Sequence, residues 1–164
     1  MSEMMRPVAI DRIGTAGLDM VVEAAPGELL AIATRLFLPE VERVRCSFRL
    51  KRLEDSVIEA SGTLTAGVTQ TCVVTLDPFK QAIQEDFTVR FVPEGNETED
   101  DDPDSPDQIP YPAGLIDIGE ATIEQLALAL DPYPRRPGLD EVEEEEVSTT
   151  PNKFAALAAL RRPQ

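Results

Sequence analysis

Two runs of acid divide this chain before any secondary structure is considered. Residues 94–107 carry eight acids (Glu94, Glu97, Glu99, Asp100, Asp101, Asp102, Asp104 and Asp107) and no base. Residues 140–146 carry six more (Asp140, Glu141, Glu143, Glu144, Glu145 and Glu146), again with no base. Like charges at this density repel one another and hold their water, so neither run can be packed into a core. The expected organisation is a single domain over residues 1–139 with an acidic loop at 94–110, an acidic linker at 140–151 and a closing amphipathic segment at 152–164. Removing these fourteen charges from a formal −16 leaves the remainder at −2. The two segments make the protein acidic, while the body is close to neutral. Such a field opposes nucleic acid at long range and favours basic partners.

At 164 residues the chain is long enough for one domain with a real core. Aromatics are only 5% and Trp is absent, so that core has to be built from Val, Ile, Leu and Ala.

The clearest element is "ERVRCSFRLKRL". Val44, Cys46, Phe48 and Leu50 alternate with Arg43, Arg45, Ser47, Arg49 and Lys51, the period of a strand with one face buried and one in water. "RPVAIDRI" reads as an earlier strand and "APGELLAIATRLFL" as a helix. In that helix Pro26 suits the first turn, Glu28 the positive end, and Leu29, Leu30, Ala33 and Leu36 a common face. "SVIEASGTLTAGVTQTCVVTL" continues as β structure with bulges or bends expected at Gly62 and Gly67. "QAIQEDFTVRFV" adds a strand with Phe87, Val89 and Phe91 on one side. The acid-, Pro- and Gly-rich stretch 93–112 reads as a loop, expected to be a disordered insertion. "GLIDIGEATIEQLALAL" reads as a second helix presenting Ile123, Leu126, Ala127 and Leu130, ended by the prolines of "DPYPRRPG". The expected fold is α+β: a mainly antiparallel, curved sheet with two helices packed against it.

The residues available for chemistry are few. The chain has no His, which removes the commonest general base, the commonest metal ligand and every Ser-His or Cys-His pair. It has no phosphate-binding glycine motif, and two cysteines cannot build a structural zinc site. "ETEDDDPD" lacks the glycine-centred spacing of an EF-hand loop. No catalytic residues, cofactor, bound metal or small-molecule substrate are therefore expected. Cys72, beside Val74, reads as a buried small hydrophobe. Arg43, Arg45, Arg49 and Lys51 read either as a solvent face kept soluble by charge or as a basic stripe for RNA phosphates. No aromatic residues interleave with them to stack bases.

The closing "NKFAALAALRRPQ" follows the second acidic run. Alone, thirteen residues make a marginal helix in water, so Phe154, Leu157 and Leu160 are expected to bury themselves on something. Either this domain or a partner would serve. The acidic tether favours a partner, with Arg161 and Arg162 as a basic tip. "MSEMMRPVAI" has no basic stretch leading into an apolar one, and no apolar run has membrane-spanning length. The expected location is the cytoplasm, with no membrane partner.

The segments "VTQTCVVTLDPF", "LIDIGEATIEQLALALDPYPRRPG", the acidic run after them and "PNKFAALAALRRP", in that order, resemble the YceD-type large ribosomal RNA subunit accumulation proteins. The resemblance runs over roughly residues 40–164. Cys72 matches the first position of the family's Cys-x-x-Cys, with Thr75 at the second, so no thiol pair can form. Lys153 stands where a proline is common in the closing motif. The resemblance implies a non-catalytic role in which large-subunit ribosomal RNA fails to accumulate without the protein. Joined to the charge pattern, it leads to the expectation of a large-subunit assembly factor that binds a basic ribosomal or ribosome-assembly protein, or precursor large-subunit RNA. Direct RNA binding through the basic strand face and a metal-dependent nuclease using clustered carboxylates are the alternatives.

Overall fold

The computed structural model describes residues 3–99 and 102–138. The chain is α+β. Five strands form one sheet in the order β2-β3-β4-β5-β6: β2 (Leu18–Glu23), β3 (Glu40–Arg52), β4 (Ile58–Thr71), β5 (Pro78–Pro93) and β6 (Asp107–Tyr111). A small two-stranded sheet joins β1 (Pro7–Ala9) to β7 (Leu115–Asp117). Among the described residues there are two α-helices, α1 (Pro26–Arg35) and α2 (Ile118–Ala129). The pairings from β2 to β5 are antiparallel, as expected, whereas β6 runs parallel to β5.

β3 follows its sequence pattern. Val44, Cys46, Phe48 and Leu50 are buried, while Arg43, Arg45, Ser47, Arg49 and Lys51 are exposed. Val41 is also buried, three residues before Val44 instead of two or four. A bulge between Val41 and Arg43, opposite Val68 and Gly67, changes the phase. The extra residue, Glu42, reaches Lys80 at 2.7 Å. One of the two expected irregularities therefore falls opposite Gly67. Gly62 sits in unbroken register between Phe48 and Phe87, and its role is space. A Cβ there would lie 2.6 Å from the Phe87 ring, which meets Phe48 edge-on at 5.7 Å between centroids.

The helices lie on the inner face. In α1, Glu28 accepts from the Ala25 amide at 2.7 Å and closes the N-terminus. Its buried residues are Ile32 and Ala33, flanked by half-buried Leu29 and Leu36. Leu30, expected on that face, points to solvent: spacing of three and four residues from Leu29 selects Ile32 and Ala33 instead. α2 begins after β7, four residues later than the sequence pattern places it. Asp117 sets that start, its Oδ1 accepting from the amides of Gly119 (3.0 Å), Glu120 (3.1 Å) and Arg6 (2.8 Å). Ile118, Ala121, Thr122, Ile123 and Leu126 are buried against the sheet. Ala127 lies at the helix's exposed margin.

Ion pairs tie the N-terminal segment to both helices. Arg35 reaches Glu3 at 2.7 Å and Glu120 at 2.6 Å, and Arg6 grips Glu28 at 2.8 and 2.9 Å. Hydrogen bonding to Arg35 lowers the Glu3 carboxyl, and hydrogen bonding to Arg6 lowers that of Glu28. Beneath them the backbone of Met4 crosses α2 so closely that a Cβ on Gly119 would lie 1.8 Å from the Met4 carbonyl oxygen. Gly119→Ala must push that backbone away, a destabilisation of about 1–3 kcal/mol by the usual cost of overpacking. Gly27→Ala, with nothing within 4 Å of the new Cβ, is expected to be neutral or slightly stabilising. Urea unfolding of the two variants checks the contrast.

Candidate functional site

Three surfaces carry unusual chemistry. The first is the outer face of the sheet, where the basic residues of β3 lie. Three of the four have an acid or a hydroxyl opposite them. Arg45 stands between Glu23 and Thr65, Arg49 between Asp19 and Ser61, and Lys51 opposite Glu59, which also reaches Arg90 at 3.5 Å. Arg49 is held by Asp19 at 2.9 Å and by the Ala16 carbonyl at 3.0 Å. Arg43 faces Gly67 beside the bulge. The four residues do share one exposed face, interleaved with acids.

The second surface is the end of the domain where α1 stops, β4 leaves the sheet and the chain leaves α2. α1 closes with paired bonds, from the Leu38 amide to Ala33 and from the Phe37 amide to Thr34. This closure puts Phe37 in the left-handed region at φ 56, a position that favours glycine. Its ring is 94% exposed. Across the same end, Cys72 was expected to continue a strand. Instead β4 stops at Thr71, and the Cys72 amide bonds to the Asp77 carbonyl at 2.9 Å, folding Cys72–Asp77 into a turn. Leu76 within it is also left-handed, at φ 62, and 75% exposed. Two large apolar side chains thus sit on strained backbone and in water. The segment after α2 is stitched to this turn: the Val73 amide bonds to the Pro134 carbonyl at 2.9 Å, and Arg136 reaches Asp77 at 3.9 Å. A cavity of about 340 Å³ lies between Phe37, Pro39, Thr71, Leu130 and Pro132.

Cys72 itself is enclosed, as expected of a small hydrophobe, but donors surround its sulfur. Burial pushes the thiol up, yet hydrogen bonds from the Thr75 side chain and from the backbone of Arg136, Thr75 and Val74 outweigh it and bring the pKa down to about 7. Cys46, packed under α2, shows the opposite balance. Burial pushes it up to about 12, with only Thr122 opposing. Among the described residues no group of three or more His, Cys, Asp or Glu side chains is placed to hold a metal ion.

The third surface is the acidic crossover between β5 and β6, expected as a loop over 94–110. Its last residues are strand. β6 takes Asp107–Tyr111 and pairs with β5 from Val89 to Pro93, with Pro110 tolerated because β6 is the outermost strand. The crossover is fastened at its middle. Gln108 accepts from the Thr98 amide at 3.0 Å and donates to the Thr98 carbonyl and hydroxyl at 3.1 and 2.8 Å. The Glu94 amide bonds to the Tyr111 carbonyl at 3.1 Å, and the Tyr111 hydroxyl to the Ser56 carbonyl. Glu94, Glu97, Glu99, Asp102, Asp104 and Asp107 are all exposed. Phe154, Leu157, Leu160, Arg161 and Arg162, the expected partner-binding residues, lie outside the described residues, as does the acidic run 140–146.

The family model of the large ribosomal RNA subunit accumulation protein YceD matches residues 60–161 of this chain. The chain belongs to that family. No curated protein and no solved structure matches it. The match spans the Cys72–Asp77 turn and the 130–138 segment bonded to it, whereas the Phe37 side of the second surface lies before the matched residues. The family's description names accumulation of an RNA subunit and no catalysed reaction. No helix among the described residues is long and apolar enough to cross a membrane.

The donors around Cys72 make a pH prediction. A thiol whose folded pKa lies below its unfolded value adds stability above the unfolded value and loses it as pH falls through the folded one. With about 7 in the fold against an ordinary 9.0, stability is expected to rise from pH 7 to 9. No His titrates alongside, and Cys46 acts in the opposite sense only at higher pH. Urea midpoints across this range should rise for the native chain and stay flat for Cys72→Ala.

Proposed function

We propose that this protein is a non-catalytic factor supporting accumulation of large-subunit ribosomal RNA, and that it acts by binding a basic ribosomal or ribosome-assembly protein during assembly of the large subunit. The observation that carries this reading is the family match over residues 60–161. Charge supports the mode of action. Fourteen of the acids sit in two short segments, and the described part of the first is displayed on the sheet's margin with its carboxylates in water. A basic protein meeting this array gains long-range attraction and a fast encounter. The segment 152–164 anchors the complex through Phe154, Leu157 and Leu160, with Arg161 and Arg162 at its tip.

Depletion of the protein is expected to lower the ratio of large- to small-subunit ribosomal RNA. A version ending at Thr150, at normal abundance, is expected not to restore it. An unchanged ratio on depletion would remove the assembly role. Restoration by the truncated version would remove the anchor alone.

Binding through the acidic segments also separates this mechanism from direct RNA contact. Purified protein titrated with precursor large-subunit RNA should show little affinity and a shallow salt dependence. If Arg43, Arg45, Arg49 and Lys51 were the contact, four phosphates neutralised would give a slope of log K against log salt near −3, by about −0.7 to −0.9 per phosphate, and neutralising them would flatten it.

A further inference from the structure

β5 is sixteen residues long and paired along its length with β4 from Pro78 to Phe91, but β6 covers only Val89–Pro93 on its other side. Among the described residues, 78–88 of β5 therefore form a free sheet edge of about 35 Å, at roughly 3.3 Å per residue. Alternate residues along it present unpaired amide and carbonyl groups. The opposite margin of the sheet, β2, is only six residues long.

The charges beside this edge are not balanced. Its one base, Lys80, is held by Glu42 at 2.7 Å. Glu85 and Asp86 are exposed on the edge itself. Asp107 begins β6 beside Val89, where the free stretch ends. The Gln108–Thr98 clasp sets Glu97 and Glu99 at that same point, with Asp102 and Asp104 in the segment leading into β6. On the inner side, Phe87 is half-buried at the edge against Phe48, leaving apolar area that a further strand would cover.

We propose that residues 78–88 of β5 are the docking edge for an extended, basic segment of the partner, which adds to the sheet as a strand ahead of β6. Main-chain bonds to the edge supply affinity, and the acids at Glu85, Asp86 and the start of β6 select lysine- and arginine-rich chains. A second copy of this protein is selected against by the long-range repulsion between two chains of formal charge −16. The inference rests on the basic-partner reading above and gives that partner a site and a conformation.

The test uses the full chain and a twelve-residue peptide alternating Lys and Thr, with a Glu–Thr alternation as control. Backbone amide hydrogen exchange is followed along the protein. The proposal expects fast exchange at alternate amides of 79–88 in the free chain and protection of those amides by the Lys–Thr peptide only. It also expects binding about fivefold weaker after Glu85→Lys plus Asp104→Lys, as two exposed charge pairs are reversed. Both positions are exposed, so the variant should keep its fold, checked by its urea midpoint. Protection confined to 94–99 and 102–106, equal protection by both peptides, an edge already protected in the free chain, or no binding would each overturn it. These outcomes are independent of the ribosomal RNA ratio: a ratio that falls on depletion with an unprotected edge removes this site and leaves the assembly role standing.

Discussion

The inner face of the β3–β4–β5 ladder is a continuous apolar surface that cannot be left in water, and the rest of the domain is arranged to cover it. Val44, Cys46, Phe48 and Leu50 from β3, Ile58, Ala60, Leu64 and Ala66 from β4, and Ile83, Val89 and Phe91 from β5 are all buried on it. Burial of aliphatic area at roughly 25 cal/mol per Å² is the main stabilising term. Among the described residues, two short α-helices serve as cover. α1 lies on β3, and α2 lies on β4 and β5. The Arg35 and Arg6 ion pairs are partly exposed, where such pairs contribute about 0–1 kcal/mol each. They fix how the helices and the N-terminal segment sit on a core that already favours them.

Where local pattern and tertiary need coincide, the sequence was readable. The alternation around Cys46 and around Val89 is a sheet face, and it is that because one side meets helices and the other meets water. β2 was missed although Leu18, Met20 and Val22 alternate with Asp19, Val21 and Glu23. Val21 sits on the wet side among the charges and blurs the period. β6 was hidden inside acids and carries a proline; its strand state comes from pairing with β5, which no local signal announces. β7 is three residues long. Cys72–Asp77 misled in the other direction. "CVVTL" has strand composition, yet hydrogen bonds to Asp77 and Pro134 close it into a turn. The basic face of β3 was legible as an exposed stripe, whereas its acidic partners are contributed by neighbouring strands and appear only with the register.

The surfaces divide labour by chemistry. The acidic crossover is polar and mostly solvated, so its contribution is direction and speed of encounter. The end around Phe37 and Leu76 is apolar and held in costly backbone conformations, and strain of that kind persists where surrounding structure enforces it. Here the enforcement is visible in the helix closure at Leu38 and the turn closed by Asp77. The turn is bonded to Pro134 and Arg136, and the helix closure lines one cavity with Pro134.

The small β1–β7 sheet has a bearing on how the domain comes together. The Arg6 amide meets the Asp117 carboxylate 111 residues along the chain, whereas β3, β4 and β5 meet through neighbouring turns. Loop-closure entropy makes the distant contact the slowest to form, and the antiparallel ladder can assemble before it. A growing chain leaving a ribosome cannot seat Arg6 and β1 until β7 and α2 have emerged. Met4, fully buried with its backbone against Gly119, is therefore made well before α2 and enclosed only with it.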